Sequence, residues 1–165
     1  MNHITKAKIK DIKELVQVAK DSFLPAHGHS APKKDIENYI LENFSEDHFI
    51  KELSNSNNHY YIIYHNKKLA GYSKITLDTP NKNIASKNVT YLSRLYLLKE
   101  FYGLQLGKEL FDFNIKFSAQ QNQIGMWLAV WTENHRAISF YKKMGFTIVG
   151  SFDYKISETH SNPNH

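Results

Sequence analysis

The spacing of apolar residues divides the chain into a helical beginning and a layered remainder. Ile12, Leu15, Val16, Ala19 and Phe23 recur at helical spacing and share one face, and Asp11 stands where a cap would start the helix. The pattern predicts a short strand over residues 4–9, then a helix that ends before Pro25. His27-Gly28-His29-Ser30-Ala31-Pro32 reads as a loop through its Gly and Pro content. Ile36, Tyr39, Ile40 and Phe44 predict a second helix, and Phe49, Ile50 and Leu53 a third. The character of the chain then changes. Residues 60–64 and 69–77 flank a polar turn at His65 to Lys68 and predict a β-hairpin, closed by Asp78-Thr79-Pro80-Asn81.

Beyond the hairpin, strand and helix signals alternate. Residues 89–98 carry the β-branched, aromatic and aliphatic side chains of a strand. A glycine-containing loop at residues 103–107 follows, then a helix with Leu106, Leu110, Phe113 and Phe117 on one stripe. Residues 126–131 predict the next strand, and Ala137, Phe140, Tyr141 and Met144 the buried face of the next helix. Gly145 is placed to stop that helix, and residues 146–152 read as a further strand. The alternation implies an α/β layered fold. At 165 residues with no internal repeat or linker, one domain over residues 1–165 is expected.

Composition narrows the chemistry. The absence of cysteine removes disulfides, thiolate metal sites and a cysteine nucleophile together, and it favours a cytoplasmic setting. No apolar run is long enough for a signal peptide or a membrane span, so a soluble protein is expected. The net charge of +5 comes from basic residues scattered in ones and twos, which argues against nucleic acid as a partner. A phosphate-bearing cofactor would account for part of the excess. His27 and His29 form the only close histidine pair and lack a third ligand at a useful spacing, so no metal is expected. No Gly-X-Ser-X-Gly nucleophile elbow occurs.

The loop Tyr102-Gly103-Leu104-Gln105-Leu106-Gly107-Lys108 sits where a strand hands over to a helix. Free N–H groups and the positive helix end make such a place receptive to phosphate, and Lys108 could add a counter-charge. Two glycines also serve simply to turn a chain and pack a helix on a sheet, so this loop by itself leaves both readings open.

A second constellation lies about 25 residues downstream, in Thr132-Glu133-Asn134-His135-Arg136-Ala137-Ile138-Ser139-Phe140-Tyr141-Lys142-Lys143-Met144-Gly145-Phe146. Asn, Ala three residues later, Phe-Tyr and then Gly-Phe resemble the carboxyl-terminal motif of the GNAT acetyltransferases. The loop lies where that family places its pyrophosphate loop, and Tyr91-Leu92-Ser93-Arg94-Leu95-Tyr96-Leu97 resembles the strand before it. The Arg-Leu-Tyr-Leu strand, Trp-Leu-Ala-Val-Trp and Phe-Tyr-Lys-Lys-Met-Gly-Phe are similar to the PaiA-type bacterial spermine/spermidine acetyltransferases. The likeness is dense over residues 89–152 and thin over the first 80.

The resemblance implies the GNAT fold, a mixed central β-sheet of six to seven strands flanked by helices on both faces. It implies acetyl-CoA as cosubstrate, with Leu95, Tyr96, Leu97, Tyr102, Gly103, Leu104, Gln105, Leu106, Gly107, Lys108, Asn134 and Tyr141 as cofactor-binding residues. It implies transfer to a primary amine of a small molecule, with a polyamine as the first candidate and an amino acid, an aminoglycoside, a protein amino terminus or lysine as rivals. Tyr141 takes the family position of the general acid, although a buried aromatic of the last helix would look the same. The N–H groups around Tyr96 and Leu97 would receive the oxyanion. An amine with a pKa near about 10 must first lose a proton, and a relay through Tyr96, His27 or His29 is the expectation. A non-catalytic acyl-CoA sensor is the rival of another class.

Three departures from the family pattern qualify these expectations. Tyr102 and Gln105 replace the loop's usual Arg or Gln and first Gly, and Gln105 keeps its role only if its φ is negative. Ser93 stands where many relatives have Glu. The polar tail from Ser157 to His165 is not expected to form a buried strand, so a missing final strand or a homodimer partner would have to complete the sheet. Asp35, Glu37, Glu42, Glu46 and Asp47 gather on the substrate-side helices, where a polyamine would favour them and a solvated face would explain them equally well.

Overall fold

The computed structural model describes residues 1–165. Its elements run β1 (Asn2–Lys6), α1 (Ile12–His27), α2 (Lys33–Asn43), α3 (Glu46–Ser54), β2 (Asn58–His65), β3 (Lys68–Thr76), β4 (Val89–Leu97), α4 (Leu106–Gln120), β5 (Gly125–Trp127), α5 (His135–Lys143), β6 (Phe152–Lys155) and β7 (Ser161–Asn164). Strands β1 to β5 form one sheet in chain order, and β6 and β7 pair with each other in a second, so the central sheet has five strands rather than the six to seven expected. All pairings are antiparallel except β4 with β5, so the main sheet is mixed.

Both faces of the main sheet are covered, which explains the uninterrupted apolar run of β2. Tyr60 and Ile62 pack toward α1 to α3 with Leu15, Ala19, Phe23, Phe44 and Phe49. Tyr61 and Ile63, on the opposite face, pack with Leu106 and Leu110 of α4. Complete burial of a side chain such as Leu15 or Leu110 stabilises the fold by about 1.5–3 kcal/mol. A buried polar pin fixes α4 on the sheet: Asn114 Nδ2 donates to Ser73 Oγ on β3 and to the Leu110 carbonyl, both at 2.8 Å. The loop that precedes α4 is thereby held against the end of β4.

Four further expectations need correction. The first strand ends at Lys6, and Ile9, which is solvent-exposed, begins a 3₁₀ turn instead. Helix α1 does not stop before Pro25. It continues to His27, because the solvent-exposed Pro25 only removes one donor and the ladder resumes with Gly28 N–H donating to the Leu24 carbonyl at 2.8 Å. Residues 146–151 are not strand, and β6 starts only at Phe152.

The fourth correction concerns the carboxyl terminus. Its polar residues do form a strand, β7, with Asn162 and Asn164 buried and Ser161 and Pro163 outward. Pro163 is tolerated because its missing N–H falls on a short strand whose bonds to the neighbouring segment use its carbonyl. The chain supplies its own final strand, which removes the reason to call on a partner.

Candidate active site

The sheet opens at one place. Strand β5 follows β4 for three residue pairs, from Val89↔Gly125 to Tyr91↔Trp127, and then leaves it. Past that point the chain bonds to the carboxyl-terminal strand instead: Val130 N–H donates to the His165 carbonyl at 3.0 Å, His165 N–H to the Val130 carbonyl at 2.9 Å and Thr132 N–H to the Pro163 carbonyl at 3.0 Å. A cavity of about 340 Å³ fills the resulting wedge, with Leu95, Tyr96, Leu128, Trp131, Asn134 and Tyr141 among its walls.

A bulge in β4 controls what faces this wedge. Lys74 pairs with Arg94 and Ile75 with Leu92, leaving Ser93 as the extra residue. Leu98 N–H donates to the Ala70 carbonyl at 2.8 Å, so by the two-residue period of the strand the Tyr96 N–H also points at β3. The amides of Leu95 and Leu97 point the other way, into the opening. Of the two oxyanion donors expected from the sequence, Leu97 is available and Tyr96 is replaced by Leu95.

The loop after β4 is a second receptive feature. None of the backbone N–H groups of Gly103, Leu104, Gln105, Leu106, Gly107 and Lys108 donates to a protein acceptor, and they cluster at the amino end of the 15-residue helix α4. Gln105 does not keep a negative φ. It lies in the left-handed region at φ 62°, ψ 13°, as does Gly103 at φ 81° in sign, because the chain must reverse sharply between the turn at Lys99–Phe101 and α4. Its amide remains free in this conformation. Lys108 is committed to an exposed ion pair with Asp112 one turn along.

A charge that the motif lacked is supplied from elsewhere. The Arg136 guanidinium of α5 lies 3.6 Å from the centre of the Tyr102 ring, so a cation stands beside the loop position where the usual Arg is absent. Sequence reading did not single out Arg136, because only the packing of α5 against the loop brings the two together.

On α5, Asn134 is the amino-terminal cap, its side chain accepting from Ala137 N–H at 3.2 Å, and it also lines the wedge. Tyr141 is packed among Phe111, Phe140 and Phe146, with ring centres 5.2–6.4 Å away, and its hydroxyl makes no hydrogen bond to the protein. Burial pushes this phenol well above its ordinary pKa, so it stays protonated.

The far wall comes from α1 to α3. Tyr96 Oη and His27 Nε2 are 3.3 Å apart, with the Trp131 ring 6.0 Å from that of His27 and 5.3 Å from that of His29. Burial, assisted by His29, lowers the His27 pKa to about 4, so the imidazole is neutral near pH 7. The continuation of α1 past Pro25 is what carries His27 to this position. Ser93 Oγ donates to the Lys74 carbonyl at 3.4 Å and offers no base. The wall does hold a carboxylate that the sequence did not suggest: Glu52 of α3 pairs with Lys74 and accepts from Tyr60 Oη at 3.0 Å and Asn58 Nδ2 at 2.9 Å. Burial alone would raise its pKa, but the Lys74 and Tyr60 bonds outweigh burial and hold the carboxyl below its usual value. Arg94 lies between these groups, over the Phe44 and Phe49 rings at 4.7 and 5.6 Å.

A mixed sheet that parts beside a helix end with free amides defines an α/β protein of the acyltransferase class. The sequence profile of the acetyltransferase (GNAT) family matches residues 13–146, and the chain belongs to that family. A protein described as an uncharacterised N-acetyltransferase of Lactobacillus delbrueckii subsp. lactis is 26% identical over 144 residues, covering 87% of this chain and 83% of that protein. The spermidine N(1)-acetyltransferase of Thermoplasma acidophilum is 28% identical over 145 residues, covering 88% of each. The crystal structure of PaiA N-acetyltransferase from Thermoplasma acidophilum in complex with coenzyme A superposes with a TM-score of 0.78 at 23% identity, over 99% of this chain and 97% of that one. That last likeness is one of fold. No helix is long and apolar enough to cross a membrane.

Proposed function

We propose that residues 1–165 act as one domain that transfers the acetyl group of acetyl-CoA to the primary amine of a small molecule. The observation that carries this reading is the run of unpaired amides from Gly103 to Lys108 at the end of β4, next to the wedge into which the Leu95 and Leu97 amides point. The first set suits the pyrophosphate, aided by Arg136, and the second suits the thioester oxygen. In the proposed reaction the amine gives up a proton that Tyr96 and His27 relay to solvent, and its nitrogen attacks the acetyl carbonyl. The oxyanion is held by the two amides until the carbon–sulfur bond breaks. Tyr141, held protonated by burial, gives its proton to the thiolate as the carbon–sulfur bond breaks and regains one from solvent; because the thiol's ordinary pKa of about 8.5 lies below that of a phenol, this transfer is uphill and is completed by departure of the CoA thiol.

Support for a polyamine acceptor comes from the likeness to the spermidine acetyltransferase. The wedge itself, where Lys74 and Arg94 outnumber the single carboxylate of Glu52, does not favour a polycation. Calorimetry and thermal melting with CoA, followed by a thiol-release assay over a panel of amines, test the proposal. Binding of CoA should raise the melting temperature in proportion to log concentration, by the equivalent of about 2.7 kcal/mol at a hundred times Kd. A flat response to millimolar CoA would sink it. Binding without CoA release from acetyl-CoA and any amine would point instead to a sensor.

A further inference from the structure

Arg94 is chemically unfinished. Its guanidinium carries five N–H donors and a permanent charge, yet it forms no ion pair and no hydrogen bond, and Nη1 is buried without a partner. The Tyr72 hydroxyl, buried beside the guanidinium and close enough to interact with it, likewise lacks a bond of good geometry. The guanidinium carbon lies 4.7 and 5.6 Å from the Phe44 and Phe49 ring centres, contacts that use none of its N–H groups. Leaving such a donor unsatisfied is costly, so the group calls for a partner from outside the chain.

The surroundings define that ligand. Around the wedge, Lys74 is spent on Glu52, and the remaining titratable groups facing it carry no compensating negative charge. His48 approaches Glu52 at 3.5 Å, but burial outweighs that carboxylate and lowers its pKa, and His27 is likewise neutral near pH 7. Tyr39, Tyr60, Tyr72 and Tyr96 are held protonated by burial. The Arg94 charge is therefore unbalanced. Arg94 and Tyr96 lie two residues apart on one face of β4, so their side chains leave the strand about 7 Å apart.

We propose that Arg94 is a carboxylate subsite, so that the acceptor is an amino-carboxylate whose acid group sits on the guanidinium fork while its amine reaches the Tyr96–His27 end of the wedge. The inference rests on the acetyl-transfer reading above for its amine but not for its anion. Arg is suited to the role because two parallel N–H groups match the two oxygens of a carboxylate.

The test separates the two. Thiol release from acetyl-CoA is measured with glycine, β-alanine and leucine, with their carboxamides, and with spermidine. In parallel, the N-acetylated acids and amides are titrated calorimetrically into the CoA-bound protein, which reads the subsite without turnover. Each acid should outperform its amide, and Arg94→Gln should lower kcat/KM and affinity for the acids by about 10- to 100-fold relative to the amides, so that the acid-to-amide ratio falls toward one. Arg94→Lys, which keeps the charge and loses the fork, should fall between, and it serves as the readout if Arg94→Gln no longer binds CoA. Equal handling of acid and amide, preference for spermidine over the acids, or a preference that survives in both variants overturns the subsite, whether or not acetyl transfer stands. Selective, Arg94-dependent binding of the acids with no CoA released from any amine upholds the subsite and sinks the transfer reading instead.

Discussion

Tyr141→Phe discriminates most sharply between a working side chain and a packed one. The substitution removes one oxygen and no contact between rings, because Phe111, Phe140 and Phe146 surround the ring and the hydroxyl has no protein partner. A hydroxyl that has no protein partner and belongs to a cavity-lining residue contributes little to hold the fold, so stability should change by less than about 1 kcal/mol, in either direction. For a chain of this size that is a shift of about 2–4 °C in melting temperature at most. The effect on turnover should be far larger. Loss of a general acid costs about 10²- to 10⁴-fold, equivalent to about 3–5 kcal/mol of barrier. Acetyl-CoA affinity should stay at the wild-type value, since the proton is needed only as the thiolate departs, and kcat and kcat/KM should fall together. Single-turnover measurement of CoA release avoids masking by slow product release. Because burial holds the phenol protonated well beyond its ordinary range, the wild-type profile should also show no alkaline loss assignable to this residue. A Tyr141→Phe enzyme with the wild-type single-turnover rate would refute the assignment and leave Tyr141 as a core aromatic.

Three further outcomes follow from the geometry. At Gly107 an added Cβ meets only Leu97 Cδ1 at 3.6 Å, so Gly107→Trp should fold normally while its indole covers the free amides; undiminished acetyl-CoA binding by calorimetry would remove the loop from the site. Arg136→Ala should weaken acetyl-CoA binding by about 3- to 10-fold at low salt and less at high salt, and an unchanged Kd at low salt would show that the Tyr102 contact is structural only. His27 has a folded pKa of about 4 against 6.5 unfolded, so between those values the unfolded chain binds the extra proton and stability rises with pH. Denaturant titrations should therefore show a loss on acidification from pH 6.5 to 4 to which His27 contributes on the order of 2–3 kcal/mol, with His48, His59 and Glu52 adding in the same direction, and His27→Gln should reduce the loss by the His27 share. An identical pH dependence in the variant would mean that His27 is not buried in solution.

The strand, loop and helix unit from Val89 to Gln120 and the helix His135–Lys143 were legible because their signals are local. Alternation, a stripe at helical spacing, a capping Asn134 and a stopping Gly145 act within a few residues of themselves. The family pattern rides on those same segments, so the fold class could be read, and the candidate phosphate loop nominated, before any coordinates. Local signals also misled where a distant partner overruled them. Pro25 signals a helix end, but a solvent-facing proline near the end of α1 costs one donor only, and the helix carries His27 to Tyr96. Ser161 to Asn164 has no strand composition, yet β6 and the segment around Val130 provide the backbone partners that make it one.

What the sequence by itself determined is therefore the order of most elements and the layered class, since each depends on neighbours in the chain, and it nominated the segments proposed to meet the cofactor. Which amides of β4 are free was decided only in three dimensions, because it depends on the register with β3 and on where β5 departs. The same holds for Arg136 beside Tyr102 and for Glu52, Lys74 and Arg94 around one cavity, residues separated by up to 42 positions and joined by the bulged pairing of β3 with β4 and the packing of α3. Charge balance in a cavity is a sum over side chains that no window along the chain contains, and it is that sum on which the proposed acceptor rests.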